Sequence, residues 1–203
     1  VPPSFALLCP QRHIHKRCRQ CLPTILTKTI KTMKRFYGIM GNATKFMTTL
    51  TLVKSSNSGW DEKYIDKSTG KRWHKFMVDR DTGHYYNLML ETPKPTTEEM
   101  IEIVLNSNDH DEVEGAAHRL LYDEEELMIE FRPQLADKLK LWNLENISKN
   151  EKERLRTIIL NTKLKDTRNK RNVVGKNLKE IQSDADMFED IGKFADNLLK
   201  RLD

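Results

Sequence analysis

Apolar and polar positions change their rhythm along this chain, and the changes mark its elements. Between Trp60 and Leu90, three runs rich in aromatic and β-branched residues alternate with two turns. The runs are Trp60-Asp-Glu-Lys-Tyr-Ile-Asp, Arg72-Trp-His-Lys-Phe-Met-Val and His84-Tyr-Tyr-Asn-Leu-Met-Leu. The turns are Ser68-Thr-Gly-Lys and Asp81-Thr-Gly, each supplying a glycine able to take the positive φ of a tight hairpin. This pattern predicts a three-stranded antiparallel meander. Trp73 and Phe76 stand three apart, so they fall on opposite faces of a regular strand unless a bulge intervenes. Three strands alone are barely stable, so the meander needs a cover. Upstream, Phe46 to Val53 is rich in Thr, Leu and Val and predicts one more strand, followed by a polar loop over Ser55 to Gly59.

After the break at Thr92 to Pro95 the period becomes helical. Thr96-x-x-Glu99 is a capping box opening a helix with Met100, Ile103 and Val104 on one face. Asp109-x-x-Glu112 opens a second, with Val113, Ala116, Ala117, Leu120 and Leu121 at helical spacing. A third segment is expected from Glu124 to Trp142, interrupted at Pro133, which cannot donate a backbone hydrogen bond. Ser148-x-x-Glu151 caps a fourth, with Leu155, Ile158 and Ile159 inward. Asp166 to Asn172 reads as a polar, basic linker. The last helix is expected over Asp184 to Leu202, where Met187, Ile191, Phe194, Leu198 and Leu202 form one stripe. The helices between Thr96 and Trp142, joined by Asn-Ser-Asn, form a helical hairpin pattern with no second copy at a fixed period.

The fold class expected is therefore α+β: a small antiparallel β-meander followed by a mostly helical region, with a basic disordered N-terminal arm. The segments are 1–35, a basic leader or arm; 36–95, the meander; 96–165, the helical hairpin and a further helix; and 166–203, the linker and the C-terminal amphipathic helix.

Charge sharpens the first boundary. Residues 1–60 hold ten of the 35 Lys and Arg and no Asp or Glu, leaving 25 basic and all 30 acidic residues to the other 143. Such asymmetry suggests an arm that touches nucleic acid or membrane, a targeting leader, or a segment outside the natural reading frame. The arm starts Val1-Pro2-Pro3 and has no sustained period, and Met33, Met40 and Met47 follow as candidate initiators. The ordered protein is expected to begin near Phe36. With 37% hydrophobic and 32% charged residues, the core should be modest. No apolar run approaches a bilayer-spanning length, and the short apolar stretch Ser4 to Leu8 precedes the basic residues, unlike a signal peptide. All three cysteines, Cys9, Cys18 and Cys21, lie in the arm, which fits a reducing compartment and a cytoplasmic location.

Four groups of residues could carry chemistry. Cys9, His13, His15, Cys18 and Cys21 have spacings that can hold a tetrahedral zinc ion, but only one Cys-x-x-Cys is present, and an unstructured leader is the simpler reading. His110, Glu114 and His118 line up at i, i+4 and i+8, where a solvated helix face is the simpler reading than a metal site. The acidic runs Asp109 to Glu114 and Asp123-Glu124-Glu125-Glu126 are expected at helix starts, where negative charge suits the helix dipole; they could also form an acidic surface that meets a basic partner. Trp60, Tyr64, Trp73, Phe76, Tyr85 and Tyr86 concentrate aromatic area in the meander. Most should be core, and those left exposed could bind a partner. Candidate partner-binding residues are thus Trp60, Tyr64, Tyr85, Tyr86, Asp123, Glu124, Glu125 and Glu126. No catalytic residue, metal or cofactor is expected. P-loop, GxGxxG, HExxH and GxSxG signatures are all absent.

Two resemblances follow from the meander. Trp73 to Pro95, with an early Trp, a turn Gly, a Tyr-Tyr pair and a following Pro, resembles a WW module without its second Trp. Trp60-Asp-Glu-Lys-Tyr-Ile-Asp-Lys-Ser-Thr-Gly-Lys-Arg-Trp73 resembles the start of the β-meander in small immunity proteins of bacterial polymorphic toxin systems, over about thirty residues. That likeness implies a protein that binds and blocks a cognate toxin, often a nuclease, without catalysis. The expected function is non-enzymatic protein binding, with a basic toxin as partner. The alternative is a nucleic-acid-associated protein using its basic arm, for example in a ribonucleoprotein.

Overall fold

The glycine-containing turns form the hairpins their composition predicts: Gly70 and Gly83 take φ of 71° and 68°. The computed structural model describes residues 33–56, 59–79 and 81–202. The elements run β1 (Phe36–Tyr37), α1 (Met40–Met47), β2 (Thr51–Ser55), β3 (Glu62–Ile65), β4 (Arg72–Asp79), β5 (Tyr85–Leu90), α2 (Thr97–Asn106), α3 (His110–Leu127), α4 (Arg132–Lys140), α5 (Lys149–Asn161) and α6 (Leu178–Leu202). The fold is α+β. The expected three-stranded meander is the middle of a five-stranded antiparallel sheet in the order β1-β5-β4-β3-β2.

Both faces of the sheet are used, and the period-2 rule sorts them. Tyr64, Trp73, Leu88 and Leu90 point to one face, where Ala43, Phe46 and Met47 of α1 cover them. Phe36, Phe76 and Met89 point to the other and join the main core with α2 to α6. Trp73 and Phe76 thus lie on opposite faces, as their spacing requires. The aromatic stack on the α1 face is close: the rings of Tyr37 and Phe46 are 4.5 Å apart, and those of Phe46 and Trp73 4.9 Å. Phe46 and Met47 therefore end a helix instead of starting the expected strand, and β2 begins only at Thr51.

The helical half follows its capping signals. Thr96 with Glu99 and Ser148 with Glu151 both form complete capping boxes. Pro133 lies in the first turn of α4, where a missing N–H costs nothing. The third expected segment begins later than its sequence suggests, because α3 continues through Leu127 and the chain turns at Met128, in the left-handed conformation with φ 56°. α6 also begins earlier, at Leu178; its stripe buries Ile191, Leu198 and Leu202, with Met187 and Phe194 partly buried against the same core.

One junction is unusually tight. β1 crosses the start of α3 at Gly38 and Gly115, where the Gly38 N–H donates to Asp111 O at 3.0 Å. The Ile39 N–H donates to Asp111 Oδ1 at 2.6 Å and the Arg35 N–H to Glu112 Oε1 at 2.8 Å. Lys34 Nζ reaches Asp109 and Asp111 at 2.7 and 2.6 Å. Lys34 and Arg35, expected in the arm, are therefore fixed to α3. The remainder of the 1–35 segment, with its cysteines and histidines, lies outside the described residues.

Candidate protein-docking edge

A β-sheet has two edges, and here they are unequal. β1 is two residues long and held against α3. β2 is five residues long and ends the sheet on the other side, with no strand beside it among the described residues. The outward peptide groups of such a strand are a template for a further strand. Four of its five residues are exposed, including two apolar side chains: Leu52 at 50% and Val53 at 62%. Val53 sits at an irregularity, since the register passes from Leu52 opposite Tyr64 to Lys54 opposite Lys63. Cross-strand partners share a face, so Leu52 lies on the α1 face and Lys54 on the other. A lysine and a bulge are also the usual means by which an edge resists indiscriminate pairing. They limit which strand can add; they do not cover Leu52 and Val53.

Trp60 stands at the end of this edge, in the loop that carries β2 back into β3. Its indole rests on the β4–β5 turn, where a Cβ added to Gly83 would meet it at 3.6 Å. It remains 43% exposed. The loop is anchored by Lys75, whose Nζ donates to Gly59 O at 3.1 Å and to Glu62 Oε2 at 2.8 Å and lies 4.7 Å from the Tyr86 ring centroid. Tyr86 is partly buried, its hydroxyl 2.7 Å from that of Thr44.

Other expected site residues are placed elsewhere. Tyr64 is buried in the α1-face cluster and donates to Glu62 Oε2 at 2.8 Å, which together with burial raises its phenol above the usual range. It supports the edge from beneath and is not part of a free surface. Tyr85 points to the opposite face, where its hydroxyl lies 2.6 Å from both Gly38 O and Glu114 Oε1. Beside it, Tyr86 O and Gly38 O face one end of the buried Asn87 amide at 3.0 and 2.7 Å, so that end is the NH₂ group; the amide oxygen then accepts from His118 Nδ1 at 2.9 Å. Burial pushes His118 down to about 4. Of the three residues aligned on α3, Glu114 and His118 are thus committed to β5, and only His110 is exposed. No group of three or more His, Cys, Asp and Glu able to hold a metal occurs among the described residues.

The acidic run departs most from expectation. Asp123, Glu124, Glu125 and Glu126 occupy the last turns of α3, the end where negative charge is disfavoured by the helix dipole. Asp123 and Glu124 are buried and do not form an acidic surface. Asp123 pairs with Arg119 at 2.6 Å, and Glu124 with Arg132 at 2.7 Å. Arg119 lies over both the Phe76 and Tyr122 rings, 5.1 and 4.7 Å from their centroids, and the two rings meet edge-on at 5.3 Å. Glu125 is half-buried and meets Lys170 at 3.2 Å, and of the four carboxylates Glu126 alone is exposed. The loop after α5 carries matching cations: Lys163, Lys165, Arg168, Lys170, Arg171 and Lys176 each lie within 4.0 Å of an Asp or Glu. A cleft of about 350 Å³ between that loop and the end of α3 is lined by Glu124, Met128, Glu130, Arg171 and Val174 among others. Its charges are paired within the protein: Arg171 reaches both Glu130 and Asp184 of α6.

No protein-family model, curated protein or solved structure matches the chain. No helix of the described residues is long and apolar enough to cross a membrane.

The edge residues Leu52 and Val53 are not legible as a site in the sequence. Their run looks like an ordinary half-buried strand, and the available signal is the pairing of two adjacent apolar residues with Lys54, a combination found on edges.

Proposed function

We propose that this chain is a non-catalytic protein-binding module that takes an extended segment of its partner as a sixth strand along β2. The observation that carries this reading is the free edge itself, with Leu52 and Val53 half or more exposed and Trp60 exposed at its end. Strand addition draws affinity from main-chain hydrogen bonds and specificity from alternate side chains, and an exposed tryptophan is the residue type that most often anchors an interface. Blocking a cognate toxin is the particular role that the Trp60–Trp73 resemblance implies, and it is proposed on that resemblance alone.

The acidic surface expected to receive a basic partner loses its main support, since two of its four carboxylates are in buried ion pairs. The nucleic-acid alternative rests on the basic N-terminal arm, nearly all of which lies outside the described residues.

The reading is tested by placing a photo-crosslinking amino acid at Val53 in the full chain expressed in its own cells, with Leu160, an exposed residue of α5, as control. A discrete adduct with one other protein is expected from Val53 and none from Leu160. Equal adducts from both positions, or none from Val53, would overturn it. If the captured protein arrests growth when expressed alone and not with this chain, the toxin-blocking role stands; if it does not, that role fails.

A further inference from the structure

The charges around β2 set the chemistry of the strand that would lie on it. Residues 45–75, running from the end of α1 into β4, hold seven Lys or Arg and three Asp or Glu. All three acids are engaged locally. Glu62 is held by Lys75 at 2.8 Å and by Tyr64. Asp61 lies 3.2 Å from His74 Nε2. Asp66 accepts from the hydroxyls of Ser68 and Thr69, both at 2.6 Å, inside the β3–β4 turn. The cations are in surplus. Lys63 pairs with Glu91, but Lys45, Lys54, Lys67 and Arg72 are exposed and have no carboxylate partner among the described residues. Lys54 is in β2, Lys45 in the last turn of α1 just before it, and Lys67 and Arg72 flank the turn beside Thr51, whose partner Ile65 pairs with Arg72.

We infer that the segment docking on β2 is an acidic, extended peptide of another protein, with Asp or Glu on the Lys54 face and apolar side chains on the Leu52 face. The inference rests on the reading of β2 as a docking edge. Strands pair about 4.8 Å apart. At that spacing a carboxylate on the added strand stands opposite Lys54, while an apolar residue beside it extends the patch begun by Leu52. Cross-strand opposite charges and apolar pairs are both favourable, and like charges are not. The same rule disfavours a second copy of this chain, since self-pairing through β2 would bring two unneutralised basic edges together.

The test is selection of a phage-displayed library of random twelve-residue peptides on the full chain. Enriched peptides are expected to alternate acidic and apolar residues. Their synthetic forms should protect the amides of residues 51–55 from hydrogen exchange, bind about tenfold more weakly when salt rises from low to high, and lose binding when Lys54→Glu reverses the edge charge. Enriched peptides that are basic or uncharged, yet lose binding to Leu52→Lys, would overturn the acidic assignment and leave the docking edge standing. Peptides indifferent to both Leu52→Lys and Val53→Lys, no enrichment at all, or a dimer of the chain in sedimentation that Val53→Lys dissociates, would overturn the inference, and the first of these would overturn the docking edge with it.

Discussion

Gly38 and Gly115 meet backbone to backbone where β1 crosses α3: a Cβ on Gly38 would lie 2.2 Å from Gly115 N and 2.7 Å from Asp111 O. Neither neighbour is a flexible side-chain end, so the crossing is open only to glycine. A methyl group there must push the strand from the helix and break the Gly38 N–H bond to Asp111 O. Gly38→Ala should therefore cost about 3 kcal/mol, the upper end of the usual range for overpacking. Gly41→Ala is the matched control: a Cβ at Gly41, within α1, meets nothing within 4 Å, and the change should be neutral or stabilise by up to about 1 kcal/mol. Urea denaturation of both variants checks the pair.

The Arg132–Glu124 pair makes a second prediction. Arg132 is fully buried, donates through Nε to Glu124, and directs Nη1 at the carbonyls of Lys163, Leu164 and Asp166 at 3.1, 3.4 and 3.4 Å. It therefore ties the end of α3 to the chain leaving α5. Burial pushes the Glu124 carboxyl up against the pull of the Arg132 charge. Arg132→Ala should cost roughly 3–5 kcal/mol, because it leaves a buried carboxylate without its cation. Arg132→Met combined with Glu124→Gln should cost clearly less than the single change, since no uncompensated charge remains. Equal losses in equilibrium denaturation would show that packing, not charge, dominates the site.

His118 links stability to pH. Its folded value lies near 4 because burial disfavours the imidazolium, against about 6.5 in an unfolded chain. As pH falls through 6.5 the unfolded chain takes up a proton that the folded one refuses until about pH 4. Stability is thus unaffected by this group above pH 7 and is lost between about 6.5 and 4, by roughly 3 kcal/mol at most. His74 is lowered in the same direction, by burial first, and adds to the loss. His118→Gln should flatten the difference between denaturation midpoints at pH 7 and pH 4.5. A variant with the parent's full pH dependence would show that other groups carry it.

Much of this fold is written in short-range signals, and the parts that are not share one cause. The two capping boxes, the two Thr-Gly hairpin turns and the Val113–Leu121 stripe act within a few residues, and each forms as its sequence predicts. β1 is too short to have a period, and its pairing with β5 depends on a contact some fifty residues away. The acidic run at 123–126 looks solvated because the residue that neutralises Glu124, Arg132, stands on the next helix. Only Arg119, four residues before Asp123, is a partner visible on the same helix face. For the docking edge, Trp60 is legible as an exposed aromatic candidate, whereas Leu52 and Val53 are defined by what the sheet order leaves uncovered.

The two tryptophans that frame the resemblance separate packing from binding, and this contrast gives the last prediction. Trp73 is buried in the centre of the sheet, its ring 4.9 Å from Phe46 and 5.6 Å from Tyr37. Trp73→Ala should cost roughly 3–5 kcal/mol, as expected for removing a large aromatic from a core. The indole N–H has no hydrogen-bond partner among the described residues, so Trp73→Phe sacrifices packing but no polar contact and should cost distinctly less than the alanine change. Trp60 touches the Gly83 turn on one side and solvent on the other, and Trp60→Ala should cost under about 1 kcal/mol. Its effect should fall on binding: with the partner captured through Val53, Trp60→Ala should weaken the complex by about tenfold or more, the loss typical of an exposed aromatic anchor. Thermal melts and titration calorimetry on the three variants separate the two roles. If Trp60→Ala destabilises the fold as much as Trp73→Ala while leaving affinity unchanged, the exposed indole is a structural clasp of the hairpin loop, and the docking surface ends at Ser55.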